Sequence, residues 1–235
     1  MLSGDTGVRC GDRRTFRAPP CGRPRVLADD FFLIAWDTTR SGRARLNQQA
    51  TALGLAGALI GELVLQNRLA LRGPQLRPTA RHQAADLLSD RVLAEIRNAP
   101  QHTDVRTWLA YLAKDAITSV AERLIRAGLV EHEPPKLLRR RHSRYYSRDF
   151  GKATWPSIRL QTALVKGRQM TPADMAMAAL VDACGLLEAV VPDPAERPTA
   201  RRYLAAVLAA MPPPLTDLTR HVQAAVGDAV LAYRT

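Results

Sequence analysis

The hydrophobic pattern is clearest between residues 47 and 71, which read NQQATALGLAGALIGELVLQNRLAL. This segment contains no proline, and Glu62 is its only charged residue before Arg68. Its apolar residues recur at the i, i+3, i+4, i+7 spacing of a helix that is buried on more than one side. They are Leu53, Ala56, Leu59, Ile60, Leu63 and Val64. The pattern predicts a central helix around which the other elements pack.

Three glycines, Gly54, Gly57 and Gly61, fall about one turn apart in this segment. Each costs roughly 1 kcal/mol relative to alanine inside a helix, so we expect them to allow close approach of a neighbouring helix. A membrane span is the alternative interpretation. However, Glu62 and the polar residues 66–68 leave the apolar run short of the roughly 20 residues that a span needs. We therefore interpret the segment as a buried helix of a soluble domain.

Shorter patterns predict the remaining elements. Residues 27–36 are a short apolar helix or a buried strand, and the Gly73-Pro74 pair marks the turn of a small hairpin over residues 68–78. Thr171 and Pro172 have the N-cap and N1 pattern of a helix start. Helical periodicity recurs over residues 83–98, 104–113, 115–128, from 154 onward, 173–187, 199–210 and 215–233. Helix should dominate the fold.

Residues 120–146 follow the order helix, strand, loop, strand that is typical of a winged helix, with the Arg139-Arg140-Arg141 run on or beside the wing. Residues 1–25 mix Gly, Pro and Arg without an apolar period and are expected to be disordered. The predicted fold is mainly α: a disordered basic tail over residues 1–25, then a single globular helical domain over residues 26–235, built around the central buried helix with small β-hairpins.

The net charge of +12 comes from two segments of the chain. Residues 1–25 hold six arginines against two aspartates, and residues 136–168 hold ten lysines and arginines against Asp149 alone. A solvated surface is the usual explanation of a charge run. Concentration in two segments favours an anionic partner, either the phosphates of a membrane or those of a nucleic acid.

Candidate catalytic and metal-binding chemistry is sparse in the sequence. The five histidines are dispersed without an HExxH motif, and GxSxG, P-loop and GxGxxG motifs are all missing. The cysteines, Cys10, Cys21 and Cys184, are odd in number and form no CxxC, which favours a reducing cytoplasm over a disulfide scaffold or zinc site. We expect no enzymatic activity, no metal and no cofactor.

Three segments together carry a resemblance to a known family. They are GLAGALIGELVLQNRLAL from residue 54, VAERLIRAGLVEHE from residue 120, and ADMAMAALVDACGLLEAVV from residue 173. From about Val26 to its C-terminus the chain resembles the Golgi phosphoprotein 3 family, in the small form found in actinobacteria. The resemblance implies a mostly helical domain that binds the cytosolic face of membranes through phosphatidylinositol 4-phosphate. In eukaryotic members it also implies an adaptor role for glycosyltransferase tails, and it implies no catalysis.

The resemblance also assigns site residues by position. The headgroup-binding tryptophan of the family falls at Asn47, the basic residue of the central helix at Ala56, and two further basic residues at Lys114 and Ile117. We expect Lys114 to contact a headgroup phosphate, with Asn47 beside it. The membrane-inserting hairpin of the family corresponds to residues 135–145. There we expect electrostatic docking by Arg139, Arg140, Arg141 and Arg144, and shallow insertion by Leu137 and Leu138.

Three functions remain open at this stage. The first is a peripheral protein on the cytoplasmic face of a membrane that binds an anionic, phosphoinositide-like lipid, either alone or as an adaptor for a protein partner. The second is a winged-helix DNA-binding protein with residues 117–126 as its recognition helix. Its outward side chains would be Thr118, Ser119, Glu122, Arg123 and Arg126, among which Glu122 would oppose phosphate. The third is a non-enzymatic protein-interaction scaffold whose basic segments serve solubility.

Overall fold

The computed structural model describes residues 26–79, 86–134 and 143–232. The predicted tail over residues 1–25 lies outside them. Six helices and two antiparallel hairpins occur before residue 170: α1 Leu27–Ala35, α2 Gln48–Leu65, β1 Leu69–Arg72, β2 Gln75–Pro78, α3 Leu87–Asn98, α4 Val105–Ala113, α5 Ala116–Arg126, β3 Glu131–Glu133, β4 Arg144–Tyr146 and α6 Phe150–Lys166. Four helices follow: α7 Pro172–Ala183, α8 Leu187–Val190, α9 Arg197–Ala209 and α10 Pro213–Ala232. The prediction of a mainly helical single domain with small hairpins is confirmed.

Helix α2 is the centre of the fold. It begins after Asn47, whose side-chain oxygen accepts a hydrogen bond of 2.7 Å from the backbone N–H of Ala50. Every residue from Ala50 to Leu63 is buried, because helices α1, α4, α5, α7 and α10 all pack against α2. Among the described residues α2 alone is long and apolar enough to cross a membrane, yet 78% of it is buried inside the protein. It is therefore the core helix that the sequence predicts.

The three glycines of α2 lie where neighbouring helices come closest. A Cβ atom at Gly57 would lie 2.5 Å from Cγ2 of Val222 on α10, and one at Gly61 would lie 2.8 Å from Cδ2 of Leu27 on α1. A Cβ atom at Gly54 would overlap the ring of Phe31 on α1. The predicted close approach is thus confirmed for both α1 and α10.

The outer elements follow the sequence patterns with a few shifts. Residues 27–35 form a helix and no strand, and the Gly73-Pro74 hairpin pairs Leu71 with Leu76 as expected from its turn. Gly128 has φ +67° just after α5, and Thr171 forms a complete capping box with Asp174. Residues 83–85, predicted as part of the third helix, lie outside the described residues.

The predicted starts of α6 and α10 were wrong. Helix α6 begins at Phe150 instead of residue 154, because Asp149 accepts a hydrogen bond of 3.0 Å from the backbone N–H of Lys152 and so caps an earlier turn. Pro156 consequently lies inside the helix. Helix α10 begins at Pro213, so this proline forms part of the first turn, where the missing N–H is tolerated, and does not lie outside the helix.

A buried ion cluster connects four helices around Glu62. The guanidinium of Arg123 on α5 donates to Oδ1 of Asp29 at 2.7 Å, to Oε1 of Glu62 at 3.1 Å and to Oδ1 of Asp86 at 3.2 Å. The Glu62 carboxylate also accepts from the backbone N–H of Ala28 at 2.7 Å. Burial raises the pKa of Glu62 from 4.5 to about 7, although Arg123 acts in the opposite direction. One guanidinium therefore holds α1, α2, α5 and the start of α3 together.

We expect Gly57→Val to destabilise the fold by roughly 1–3 kcal/mol, because the new side chain meets Val222 in a packed core. The measurement is the free energy of unfolding in urea. Gly227→Val is the matched control: Gly227 is also helical, but a Cβ atom there meets nothing within 4 Å. A similar change in both variants would contradict the close approach at Gly57.

We also expect the stability of the protein to decrease between pH 5 and pH 8. The pKa of Glu62 is higher in the folded state than its ordinary value of 4.5, so the folded state holds a proton that the unfolded state has lost. The free energy of unfolding should fall by roughly 2–3 kcal/mol as pH rises through this window. Glu62→Gln should remove that part of the pH dependence. An unchanged pH profile in the variant would contradict the assignment to Glu62.

Candidate functional site

The turn between α1 and α2 is held rigidly by its own backbone. The backbone N–H of Asp37 donates to the carbonyl of Arg43 at 2.9 Å, and the N–H of Arg45 donates to the carbonyl of Ala35 at 2.8 Å. The indole N–H of Trp36 donates to the carbonyl of Gly42 at 3.0 Å. These bonds fix the position of the backbone on both sides of Arg43. We refer to residues 37–45 as the α1–α2 turn.

Strand β4 is bonded to the same turn. The backbone N–H of Tyr145 donates to the carbonyl of Gly42 at 3.0 Å, and the N–H of Ser147 donates to the carbonyl of Thr38 at 2.9 Å. Gly42 has φ +65°, and a Cβ atom there would lie 2.6 Å from Cζ of Tyr146. The left-handed backbone and the contact with the ring both require glycine at this position.

An aromatic cluster joins the turn and the β3–β4 hairpin to the core. Phe32 and Trp36 stack with their ring centroids 4.7 Å apart, and the ring of Tyr145 meets the edge of each at 5.4 Å. His132 of β3 stacks on the ring of Tyr145, with the ring centroids 5.0 Å apart. The hairpin base is therefore positioned by apolar contacts with α1.

A cleft of about 930 Å³ opens beside this cluster. Its walls come from the α1–α2 turn, the start of α2, the junction of α4 and α5, strand β4 and the end of α10. The apolar lining residues are Trp36, Ala44, Leu46, Ala52, Ala113, Ile117, Tyr145 and Ala229. The neutral polar ones are Asn47, Gln48, Gln49, Thr118 and Ser143.

Three cations, Arg43, Lys114 and Arg144, complete the lining, and no carboxylate is among the described residues of the wall. None of the three forms an ion pair with another residue in the described ranges. Lys114 lies 5.7 Å above the ring of Tyr111, and Arg144 donates to the hydroxyl of Tyr146 at 3.1 Å. A cleft with cations from three separate elements and an apolar wall suits an anionic ligand that also has an apolar part.

Other reactive chemistry is not assembled in the described part of the chain. No group of three His, Cys, Asp or Glu side chains there could hold a metal ion. Burial raises the pKa of the Cys184 thiol to about 12, so this cysteine stays protonated inside the core.

Comparison with protein families identifies the fold around this cleft. The family model described as Golgi phosphoprotein 3 (GPP34) matches residues 27–232. The chain belongs to the Golgi phosphoprotein 3 family. This is not known as a family of enzymes. Comparison with curated proteins found no match.

The structure brings together most of the positions that the Golgi phosphoprotein 3 pattern assigns. Asn47, Lys114 and Ile117 all line the cleft. Asn47 serves as the N-cap of α2, and Lys114 is the C-cap residue of α4. Ala56 is completely buried within α2 and does not line the cleft. That position cannot contact a ligand in this fold.

The basic hairpin is described only at its base. Arg144 lies on β4 and lines the same cleft as Lys114. The other predicted docking and insertion residues, Leu137, Leu138, Arg139, Arg140 and Arg141, lie outside the described residues. Their roles remain predictions.

Arg43 is the cleft residue that the sequence interpretation missed. It stands in the α1–α2 turn, and a single arginine in a turn gives no signal of its own. The signal that could have found it is proximity to the family position at Asn47, four residues further along the chain.

The geometry of α5 argues against the winged-helix alternative. A recognition helix would present Arg123 to DNA, but this side chain is only 10% exposed and is paired with Asp29, Glu62 and Asp86. The expectation that Arg123 lies on the outward side of the helix was wrong, because the buried carboxylates of Asp29 and Glu62, together with the partly exposed Asp86, hold it in the core. Glu122 and Arg126 remain exposed on α5.

We expect Gly42→Ala to cost roughly 1–3 kcal/mol more of unfolding free energy than Gly73→Ala. Both glycines have left-handed backbone, with φ +65° and φ +56°, so both variants carry the same backbone strain of roughly 1–2 kcal/mol. A Cβ atom at Gly73 meets nothing within 4 Å, whereas one at Gly42 meets the Tyr146 ring. Urea denaturation measures the difference. Equal losses would show that β4 does not depend on contact with the turn.

Proposed function

We propose that this protein is a peripheral membrane protein that binds anionic phospholipid through the cleft, on the cytoplasmic face of a membrane. The observation that supports the proposal is the convergence of Arg43, Lys114 and Arg144 on a cleft without a carboxylate in its described wall. Phosphate groups are bound most strongly by several charge-assisted hydrogen bonds from different directions. Arg43, Lys114 and Arg144 come from three different elements and therefore approach a phosphate in the cleft from different directions.

The position of the cations favours a ligand held at the protein surface. Arg43 and Lys114 are exposed, and Arg144 is half-buried, so each can reach a headgroup without losing its solvation first. The apolar wall, which includes Leu46 and Ile117, can contact the glycerol and upper acyl region of the same lipid. Each cation near an anionic surface contributes about 1 kcal/mol to binding.

The headgroup we propose is phosphatidylinositol 4-phosphate, on the basis of family membership. Lys114 is the one cation at a family headgroup position in this chain. In our proposal Arg43 and Arg144 supply the contacts that Ala56 and Ile117 cannot make. An adaptor role for a protein partner would follow from the same membrane attachment.

We expect Arg43→Ala to weaken binding to anionic vesicles about fivefold, because it removes one cation near the lipid surface. Vesicle co-sedimentation measures this with three lipid mixtures: neutral, phosphatidylserine, and phosphatidylinositol 4-phosphate at matched charge. Each mixture is measured at low and at high salt, since surface electrostatics are screened by salt. The triple variant with Lys114→Ala and Arg144→Ala should lose nearly all binding to both anionic mixtures.

Arg72→Ala is the control, because Arg72 is an exposed arginine on β1 and does not line the cleft. Preference for the phosphoinositide at equal charge supports a specific headgroup site. Equal, salt-sensitive binding to both anionic mixtures supports anionic lipid binding without that specificity. Equal binding to neutral and anionic vesicles, or no binding, would overturn the proposal and favour a protein-interaction scaffold.

A further inference from the structure

Helix α6 has an outward face that carries aromatic and aliphatic side chains. Its inward face packs through Leu160 and Leu164, which are both almost completely buried. On the other side Phe150 is 66% exposed and Ile158 is 46% exposed, and Trp155 between them is half-buried. Large apolar side chains are therefore presented on both sides of the helix, although only one side faces the core.

Most of the polar side chains between these residues already have hydrogen-bond or ion-pair partners within the protein. The hydroxyl of Thr154 donates to the carbonyl of Phe150 at 2.8 Å, and that of Thr162 donates to the carbonyl of Ile158 at 2.7 Å. Arg159, the one charged residue between Lys152 and Lys166, is paired with Asp30 at 3.0 Å and Asp174 at 3.3 Å. The middle of the outward face therefore presents no free charge.

Cations stand at both ends of this face. Arg148 and Lys152 flank Phe150, and their side chains are 85% and 67% exposed. Lys166 and Arg168 are exposed at the other end, around the Gly167 cap. Glu131 and Asp149 pair with the first two cations on the surface. The helix contains no acid from residue 150 to residue 166, so Lys166 and Arg168 make its C-terminal end basic.

We infer that the outward face of α6 lies in the interfacial layer of an anionic membrane, with Phe150 and Ile158 inserted and the terminal cations on lipid phosphates. A helix with exposed aromatic and aliphatic residues and flanking Lys or Arg has the chemistry of an interfacial helix. The inference rests on the proposed function and adds a contact surface beyond the cleft. The two are continuous along the chain, because α6 begins four residues after Tyr146, the last residue of β4.

Charge favours a membrane over a second copy of the chain as the occupant of this face. A two-fold pair would place this face against itself. Around a two-fold axis that brings like ends together, Lys166 and Arg168 of one helix would face the same cations of the other. A membrane surface rich in anionic lipid attracts these cations without such repulsion.

The test is vesicle binding by Phe150→Ser, combined with quenching of a tryptophan placed at the same position. We expect Phe150→Ser to weaken binding to phosphatidylserine vesicles roughly tenfold, because a phenylalanine is no longer removed from water. Phe150→Trp should gain fluorescence quenching by brominated lipids, relative to the unmodified protein with its three native tryptophans. Thermal unfolding of both variants should be unchanged, since the side chain is exposed.

Leu87 is the matched control, because it is 78% exposed on α3 and lies on a helix that does not pack against α6. Leu87→Ser should leave binding unchanged, and Leu87→Trp should gain no quenching. If the unmodified protein binds the vesicles and Phe150→Ser binds equally, without quenching at position 150, this inference is overturned while the proposed function stands. Absence of vesicle binding by the unmodified protein overturns both. Loss of self-association in Phe150→Ser, seen by sedimentation velocity, with normal vesicle binding, would assign the face to a second copy.

Discussion

Helix α2 can be enclosed on every side because three of its positions carry no side chain. Gly54, Gly57 and Gly61 admit atoms of α1 and α10 into the space that a Cβ atom would occupy. The enclosure has an electrostatic consequence, since Glu62 is buried with the rest of the helix and needs a partner in the core. Arg123 meets this need by reaching across from α5. Helix packing and the ion cluster are thus two results of one constraint.

The same enclosure decides where a ligand can be bound. A helix buried along residues 50–63 leaves only its two ends near solvent, and Asn47 marks the end that opens into the cleft. The other walls of the cleft are elements that end beside it: the α1–α2 turn, the α4–α5 junction and β4. Each of these elements is fixed to the core. The α1–α2 turn and β4 are fixed there through the contact between the rings of Trp36 and Tyr145. The backbone that carries the cations of the cleft is therefore ordered before a phosphate binds, so binding restricts the side chains alone.

The sequence predicted what depends on local periodicity and local capping. Periodicity and capping predicted the central helix, its close contacts at the glycines, the hairpin at Gly73 and the helix start at Thr171. Contacts between residues that are far apart in the sequence could not be predicted from these local patterns. Arg123 is 94 residues from Asp29 in sequence, and nothing near either residue identifies the other as its partner. Arg43 was missed for the same reason, since its place in the cleft depends on Lys114 and Arg144, which come from distant segments.

Position 56 shows how stability and binding are connected in this fold. Ala56 is fully buried, so an arginine or lysine there would have to displace packed neighbours. It would also place a charge in the core, where Arg123 is already shared among three carboxylates. A cation on the surface neither displaces packed neighbours nor places a charge in the core. Arg43 is exposed on a turn that is already held by backbone hydrogen bonds. Because α2 is enclosed, a cation that binds an anionic ligand is compatible with the packing at the α1–α2 turn. The same cation inside α2 would not be compatible with the packing of the core.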